Sequence, residues 1–226
     1  MQKGGISPLF LCIFSGESCI LQSMNAISGK SGSVKSGKAR RILGIDPGSR
    51  FTGYGIVELD GDRIRWVASG CIKVKGDDLG NKLRIIAQGL NELLESHQPD
   101  EVAIEQVFLH RNVDSALKLG QARGAAISTV ALRALPVSEY SPSQIKKSVV
   151  GKGNAAKEQV QHMIKALLCL SRIPQEDAAD ALAVAVCHAQ NCQTQRKVSA
   201  MSRADHPLDG LALRRSSGKS RRRRWR

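Results

Sequence analysis

The sequence is poor in aromatic residues. Two Trp, two Tyr and four Phe make up 4% of 226 residues, so any core must be built mainly from Ala, Val, Leu and Ile. Crossing a bilayer takes about 20 apolar residues, and no run approaches that length. The nearest, Ile6 to Phe14, contains Pro8 and lacks a small-residue cleavage site, which argues against a secretory leader. Cys12, Cys19, Cys71, Cys169, Cys187 and Cys192 form no CxxC pair and no regular framework, which fits a reduced, cytoplasmic protein best. Cys187, His188 and Cys192 invite a zinc reading. Because Cys187 and His188 are adjacent on an apolar helix and a fourth ligand is missing, zinc is not expected. G-x-S-x-G and evident Cys/His pairings are also missing, which leaves no side-chain nucleophile.

Positive charge is abundant, but it is unevenly placed. Of the net +14, residues 1–41 carry +5 and residues 197–226 carry +8, so the middle of the chain is almost neutral. Within that middle part residues 42–105 are acidic (−4), residues 106–175 basic (+7) and residues 176–196 acidic (−2). Clustered acids beside a basic stretch suit a protein that holds phosphates while its carboxylates hold cations; solvated charge is the plain alternative. Residues 1–40, rich in Gly, Ser and Lys, read as a flexible extension or as the product of a start assigned upstream of Met24 or a later initiator. Residues 193–226, ending in Arg221 to Arg226, read as a basic disordered tail. One domain, residues 41–192, lies between them.

Arg41 to Asp46 is a short apolar run ending in an acid and followed by Pro47, Gly48 and Ser49, which predicts a buried strand and a tight loop. Thr52 to Leu59 and Ile64 to Val74 flank Asp60-Gly61, a hairpin signal. Asp77 or Asp78 caps a helix whose Leu79, Leu83, Ile86, Leu90, Leu93 and Leu94 recur at helical steps until Pro99. Val102 to Gln106 is a fourth strand, and Asp114 caps a long helix to about Ala134. Pro136 to Glu139 forms a brief strand, and Ser141-Pro142-Ser143-Gln144 has the pattern of a capping box. Two more helices follow, one through Leu170 and one from Pro174 to about Gln190. The order β-β-β-α-β-α-β-α-α-α implies an α/β protein. Its mixed sheet, a three-stranded meander followed by βαβ units, would be flanked by helices in the ribonuclease H-like order.

Four acids stand out against this frame. Asp46 and Glu105 each end an apolar strand, and in this topology the first and fourth strands are parallel neighbours, so the two carboxylates would lie side by side. Like charges that close call for a cation. Asp177 and Asp180, three apart near the start of an otherwise apolar helix, project from one face. Taken singly, Asp46 also reads as a turn residue and Asp177 as a first-turn acid favoured by the helix dipole. Together the four offer only oxygen ligands, which suit Mg²⁺, with Mn²⁺ as a substitute, in one or two ions per subunit for phosphodiester hydrolysis.

The segments ILGIDPGSRFTGYGIVE, AIEQVF, DSALKLGQARG, VVGKGNAAKEQVQHM and DAADALAVAVCHA, in this order over residues 41 to about 190, resemble the bacterial RuvC family of Holliday-junction resolvases. That resemblance implies a homodimer that nicks four-way junction DNA symmetrically and works with the RuvA and RuvB branch-migration proteins. It places the catalytic, metal-binding acids at Asp46, Glu105, Asp177 and Asp180. Phe108 matches an aromatic set against DNA bases, with a hydrophobic loop anchor as the plain alternative. Lys146 and Lys157 match lysines beside the active site, and Arg111, Lys147 and Lys152 are candidate phosphate contacts. Gly120 and Gly124 mark the expected dimer seam, although packing against the sheet explains them equally well. Two rival classes remain: an actin/Hsp70-like ATPase, suggested by the loop from Asp46 to Gly55, and a non-catalytic DNA-binding protein.

Overall fold

The computed structural model describes residues 39–76, 78–107 and 113–204. Its elements are β1 (Arg40–Asp46), β2 (Phe51–Asp60), β3 (Arg63–Lys73), α1 (Leu79–His97), β4 (Glu101–Glu105), α2 (Val113–Ala131), β5 (Val137–Tyr140), α3 (Pro142–Val150), α4 (Lys157–Leu167) and α5 (Glu176–Ala204). They form one five-stranded sheet in the order β3-β2-β1-β4-β5. The first three strands make an antiparallel meander, and β4 and β5 join parallel to β1. The expected element order and mixed sheet are both present. No helix among the described residues is long and apolar enough to cross a membrane.

Strand alternation assigns each side chain to a layer. In β1, Leu43 and Ile45 pack with Ile86, Leu90, Ala126 and Val130 of α1 and α2. Ile42 faces the opposite layer, with Val149 of α3, Val160 and Ile164 of α4, and the run from Leu182 to Ala189 of α5. Residues 42, 44 and 46 therefore share the α5 face. Ala103 packs in that same layer, so Glu101 and Glu105, two residues to either side of it, belong there too.

Helix α5 lies nearly in contact with the backbone of the sheet. A Cβ on Gly44 would sit 2.2 Å from the Ala181 carbonyl oxygen, and one on Gly53 would sit 2.1 Å from that of Asp177. These hydrogen side chains set the depth at which α5 settles. Residues 181–189 are buried without exception, which accounts for their Ala- and Val-rich composition.

Local caps explain the starts of α1 and α3, whereas Asp114, the expected cap of α2, lies in that helix's first turn. The Asp78 carboxylate accepts from the Asn81 amide at 2.8 Å, and the Ser141/Gln144 capping box is formed. Three helix ends differ from the sequence expectation, the first being α2, which stops at Ala131 rather than about Ala134. Helix α4 stops at Leu167 because Cys169 turns left-handed (φ 51°), and the amides of Cys169 and Leu170 fold back on the carbonyls of Ala166 and Lys165. No glycine announces that cap. Helix α5 runs 14 residues beyond Gln190, to Ala204. The apolar run ends where the helix leaves the sheet, yet no Gly or Pro interrupts residues 190–204.

Replacing Gly44 with Ala is expected to lift α5 from β1 and to lower unfolding stability by about 2 to 3 kcal/mol. Urea denaturation followed by circular dichroism measures this; an unchanged midpoint would show that the close approach is not required.

Candidate active site

Asp46 ends β1 and Glu105 ends β4. Ile45 pairs with Ile104 in parallel register, so the next residue on each strand is one of these acids. The two carboxyl groups are near enough for each to influence the other's proton affinity. Helix α5 brings its first turn to the same place: the Asp177 backbone rests against Gly53, and Gly53 is the register partner of Asp46. Asp180, one turn on, joins the group. The structure thus gathers all four predicted acids at the carboxyl ends of β1 and β4.

Their electrostatics are those of like charges held in poor solvent. Burial, followed by the charges of Glu105, Asp180 and Asp177, pushes Asp46 from an ordinary 3.8 up to about 8 against the opposing influence of Lys157. Glu105 is raised by burial and by Asp180, while the neighbouring Asp46 carboxyl and the charges of Lys157 and Lys146 act the other way. Asp180 is raised by burial, with Lys157 opposing. The Lys157 ammonium stands 2.7 Å from Asp180 Oδ2 and 2.5 Å from Glu176 Oε1. Partial burial disfavours its charge, but these two carboxylates outweigh that and raise its pKa. Among the described residues no lysine or arginine forms an ion pair with Asp46, Glu105 or Asp177.

The predicted cationic residues divide into two groups. Lys157 touches the acids, and Lys146, half-buried on α3, acts on Glu105 through its charge. Lys147 and Lys152 are exposed, on α3 and in the loop after it. Phe108 and Arg111 lie outside the described residues.

Two supporting residues escaped the sequence reading. Arg123 of α2 donates to the Glu105 carbonyl at 3.3 Å and pairs with Glu139 of β5 at 2.5 Å, so it ties down the end of β4. A lone arginine in an Ala/Gly/Leu helix is the available signal. Thr52, fully buried, donates its hydroxyl to the Gly48 carbonyl at 3.1 Å and braces the loop that leaves Asp46.

An all-oxygen donor set, half-buried, mutually repelling and only partly neutralised by Lys157, fits a hard divalent cation. No three of these acids bring ligand atoms within 4.8 Å of one another, as expected of unscreened like charges. Among the described residues the trio that does so is Glu101, His188 and Cys192, near the opposite ends of the same strands.

The family model described as crossover junction endodeoxyribonuclease RuvC matches residues 42–188. A Hahella chejuensis protein of that name is 57% identical over 162 residues, covering 72% of this chain and 94% of its own. One from Shewanella oneidensis is 60% identical over 147 residues, covering 65% and 85%. Among solved structures, Thermus thermophilus RuvC in complex with a Holliday junction substrate is similar at 32% identity and a TM-score of 0.65, over 69% of this chain and 96% of that one. The yeast mitochondrial Holliday junction resolvase, at 14% identity and a TM-score of 0.55 over 73% and 86% of the two chains, shares the fold.

Asp46 holds its proton in the folded chain over a pH range where the unfolded chain has lost it, so folding stability is fully present below about pH 4 and falls as pH rises toward about pH 8. In chelator the melting temperature is therefore expected to fall across this window, and Mg²⁺ should raise it most at the alkaline end. Scanning calorimetry with and without Mg²⁺ tests this; a pH-independent response to the cation would contradict it.

Proposed function

The chain belongs to the RuvC family of crossover junction endodeoxyribonucleases, and from that premise we propose that it resolves Holliday junctions with Asp46, Glu105, Asp177 and Asp180 as its catalytic, metal-binding set. The observation that carries this reading is the convergence of the four acids at one end of the sheet, two on paired strands and two on the helix above them. They would hold one or two Mg²⁺ ions, with Mn²⁺ as a substitute. When bound, the metal supplies Lewis-acid chemistry, activating the attacking water and stabilising charge on the leaving 3′ oxygen.

The chain's own residues do the rest. Packing of Gly53 and Gly44 under α5 fixes Asp177 and Asp180 relative to Asp46, and Arg123 fixes the end that carries Glu105. Lys157 limits the repulsion on Asp180 and, with Lys146, sits where a phosphate would approach the acids. Lys147 and Lys152 extend the cationic surface, and Arg111 and Phe108 would add a phosphate contact and a base-stacking contact. Residues 41–192 form the nuclease unit in this reading, with the remainder of α5 as its appendage. The basic segments at either end would add salt-sensitive DNA affinity. RuvA and RuvB are the expected partners, in the cytoplasm.

Symmetric cutting requires two copies, and we place the seam on α2. A Cβ added at Gly120 or Gly124 would meet nothing within 4 Å, so packing against the sheet does not explain these glycines. Beside them Val113 and Leu117 are exposed at 77% and 60%. Such an apolar face with small residues suits a close helix approach.

With Mg²⁺ the protein is expected to nick synthetic four-way junctions. Asp46→Asn, Glu105→Gln, Asp177→Asn and Asp180→Asn should each lose cutting by roughly 100-fold or more while still binding the junction. Gel assays of cutting and binding measure both, and normal cutting by any of these variants would remove that residue from the set. Gly124→Leu should be a folded monomer by light scattering, since nothing within the protomer opposes the larger side chain; a persistent dimer would move the seam elsewhere.

A further inference from the structure

At the opposite ends of β1 and β4 from the four acids, a second set of side chains converges. Glu101 opens β4 on the face that α5 covers, and His188 and Cys192 come from α5 one turn apart. His188 Nε2 is 2.7 Å from Glu101 Oε2, Cys192 Sγ is 3.6 Å from that oxygen, and Sγ and Nε2 are 3.7 Å apart. His188 and Cys192 are nearly sealed from solvent, at 5% and 8% exposure. Four residues of extended strand separate Glu101 from Glu105, or roughly 13 Å. This is a separate centre.

We infer that Glu101, His188 and Cys192 form a binding site for a zinc-type divalent transition metal, distinct from the nuclease centre. Tetrahedral zinc, with bonds of about 2.3 Å to sulfur, about 2.0 Å to nitrogen and about 2.1 Å to oxygen, spaces its ligands about 3.6 Å (S to N), about 3.6 Å (S to O) and about 3.4 Å (N to O) apart. Two of the three observed separations already match. The third opens when the His188–Glu101 hydrogen bond gives way to the ion.

The surrounding shell is the kind that metal-binding histidines use. Tyr140 Oη lies 2.8 Å from His188 Nδ1 and fixes the ring so that Nε2 faces the site. The Arg40 guanidinium holds the other Glu101 oxygen, Oε1, leaving Oε2 for the ion. Thiolate and carboxylate bring two negative charges to the cation, the second shared with Arg40, and binding releases the Cys192 proton. A cavity of about 580 Å³, bordered by Ser138, Asn191 and Gln195, adjoins the trio and gives room for water as fourth ligand. Cys187 takes no part, because its sulfur is not among the ligand atoms that converge there. The ion would therefore clamp β4 to α5, the two elements that carry Glu105 and Asp177 with Asp180, at the end remote from those acids.

The test is titration of the full chain with Co²⁺ in the presence of excess Mg²⁺, which occupies the all-oxygen centre. One Co²⁺ per chain should give a thiolate-to-cobalt charge-transfer band. Cys192→Ser and His188→Gln should each weaken binding by roughly 100-fold, whereas Cys187→Ser and Glu105→Gln leave it unchanged. In the wild-type chain Zn²⁺ should slow alkylation of Cys192, read by peptide mass spectrometry, without slowing that of Cys71. A band that survives Cys192→Ser, or alkylation of Cys192 indifferent to Zn²⁺, would overturn the inference and leave an ordinary hydrogen-bonded network of Arg40, Glu101, His188 and Tyr140.

Discussion

Mutual repulsion among half-buried carboxylates is the constraint around which this chain is organised. The acids are drawn from β1, β4 and the start of α5, and Asp46, Glu105 and Asp180 lose solvation on coming together. Such a group does not assemble by attraction. It is held by geometry: a parallel register that makes Asp46 and Glu105 neighbours, and a helix seated so low on the sheet that Asp177 and Asp180 have no room to withdraw. The hydrophobic layers on both faces of β1 and β4 supply the free energy that keeps this arrangement together.

Polarity within the site follows from the same geometry. Lys157 pairs with Asp180 and Glu176 on the solvent side, so the two strand acids remain the less neutralised pair, deeper in. A cation bound there, as proposed, would relieve this repulsion. Binding of metal and stability of the fold are thereby the same free energy seen from two sides.

Much of this was legible in the sequence because the elements that matter are strongly patterned. The run Arg41 to Asp46 declares a buried strand ending in a charge, and the alanines around Asp177 and Asp180 declare a buried helix with two misfits. Adjacency of Asp46 and Glu105 followed from topology alone. The extent of α5 was harder, because burial and helicity part company after Gln190 and only burial leaves an apolar pattern. The end of α4 was hidden by Cys169, which takes a conformation that glycine would have advertised. The Glu101, His188 and Cys192 trio was obscured for a different reason. In the sequence Cys187 and His188 are the adjacent pair, while Glu101 lies 87 positions before His188 and meets it only when β4 is laid against α5.

Helix depth has a genetic corollary. Since a methyl group at position 44 or 53 would collide with the backbone of α5, a single codon change there displaces two carboxylates that it never touches. Screens for inactive alleles would consequently recover glycine codons of the first hairpin alongside the acidic codons, and a map of such alleles would trace the footprint of one helix on the sheet.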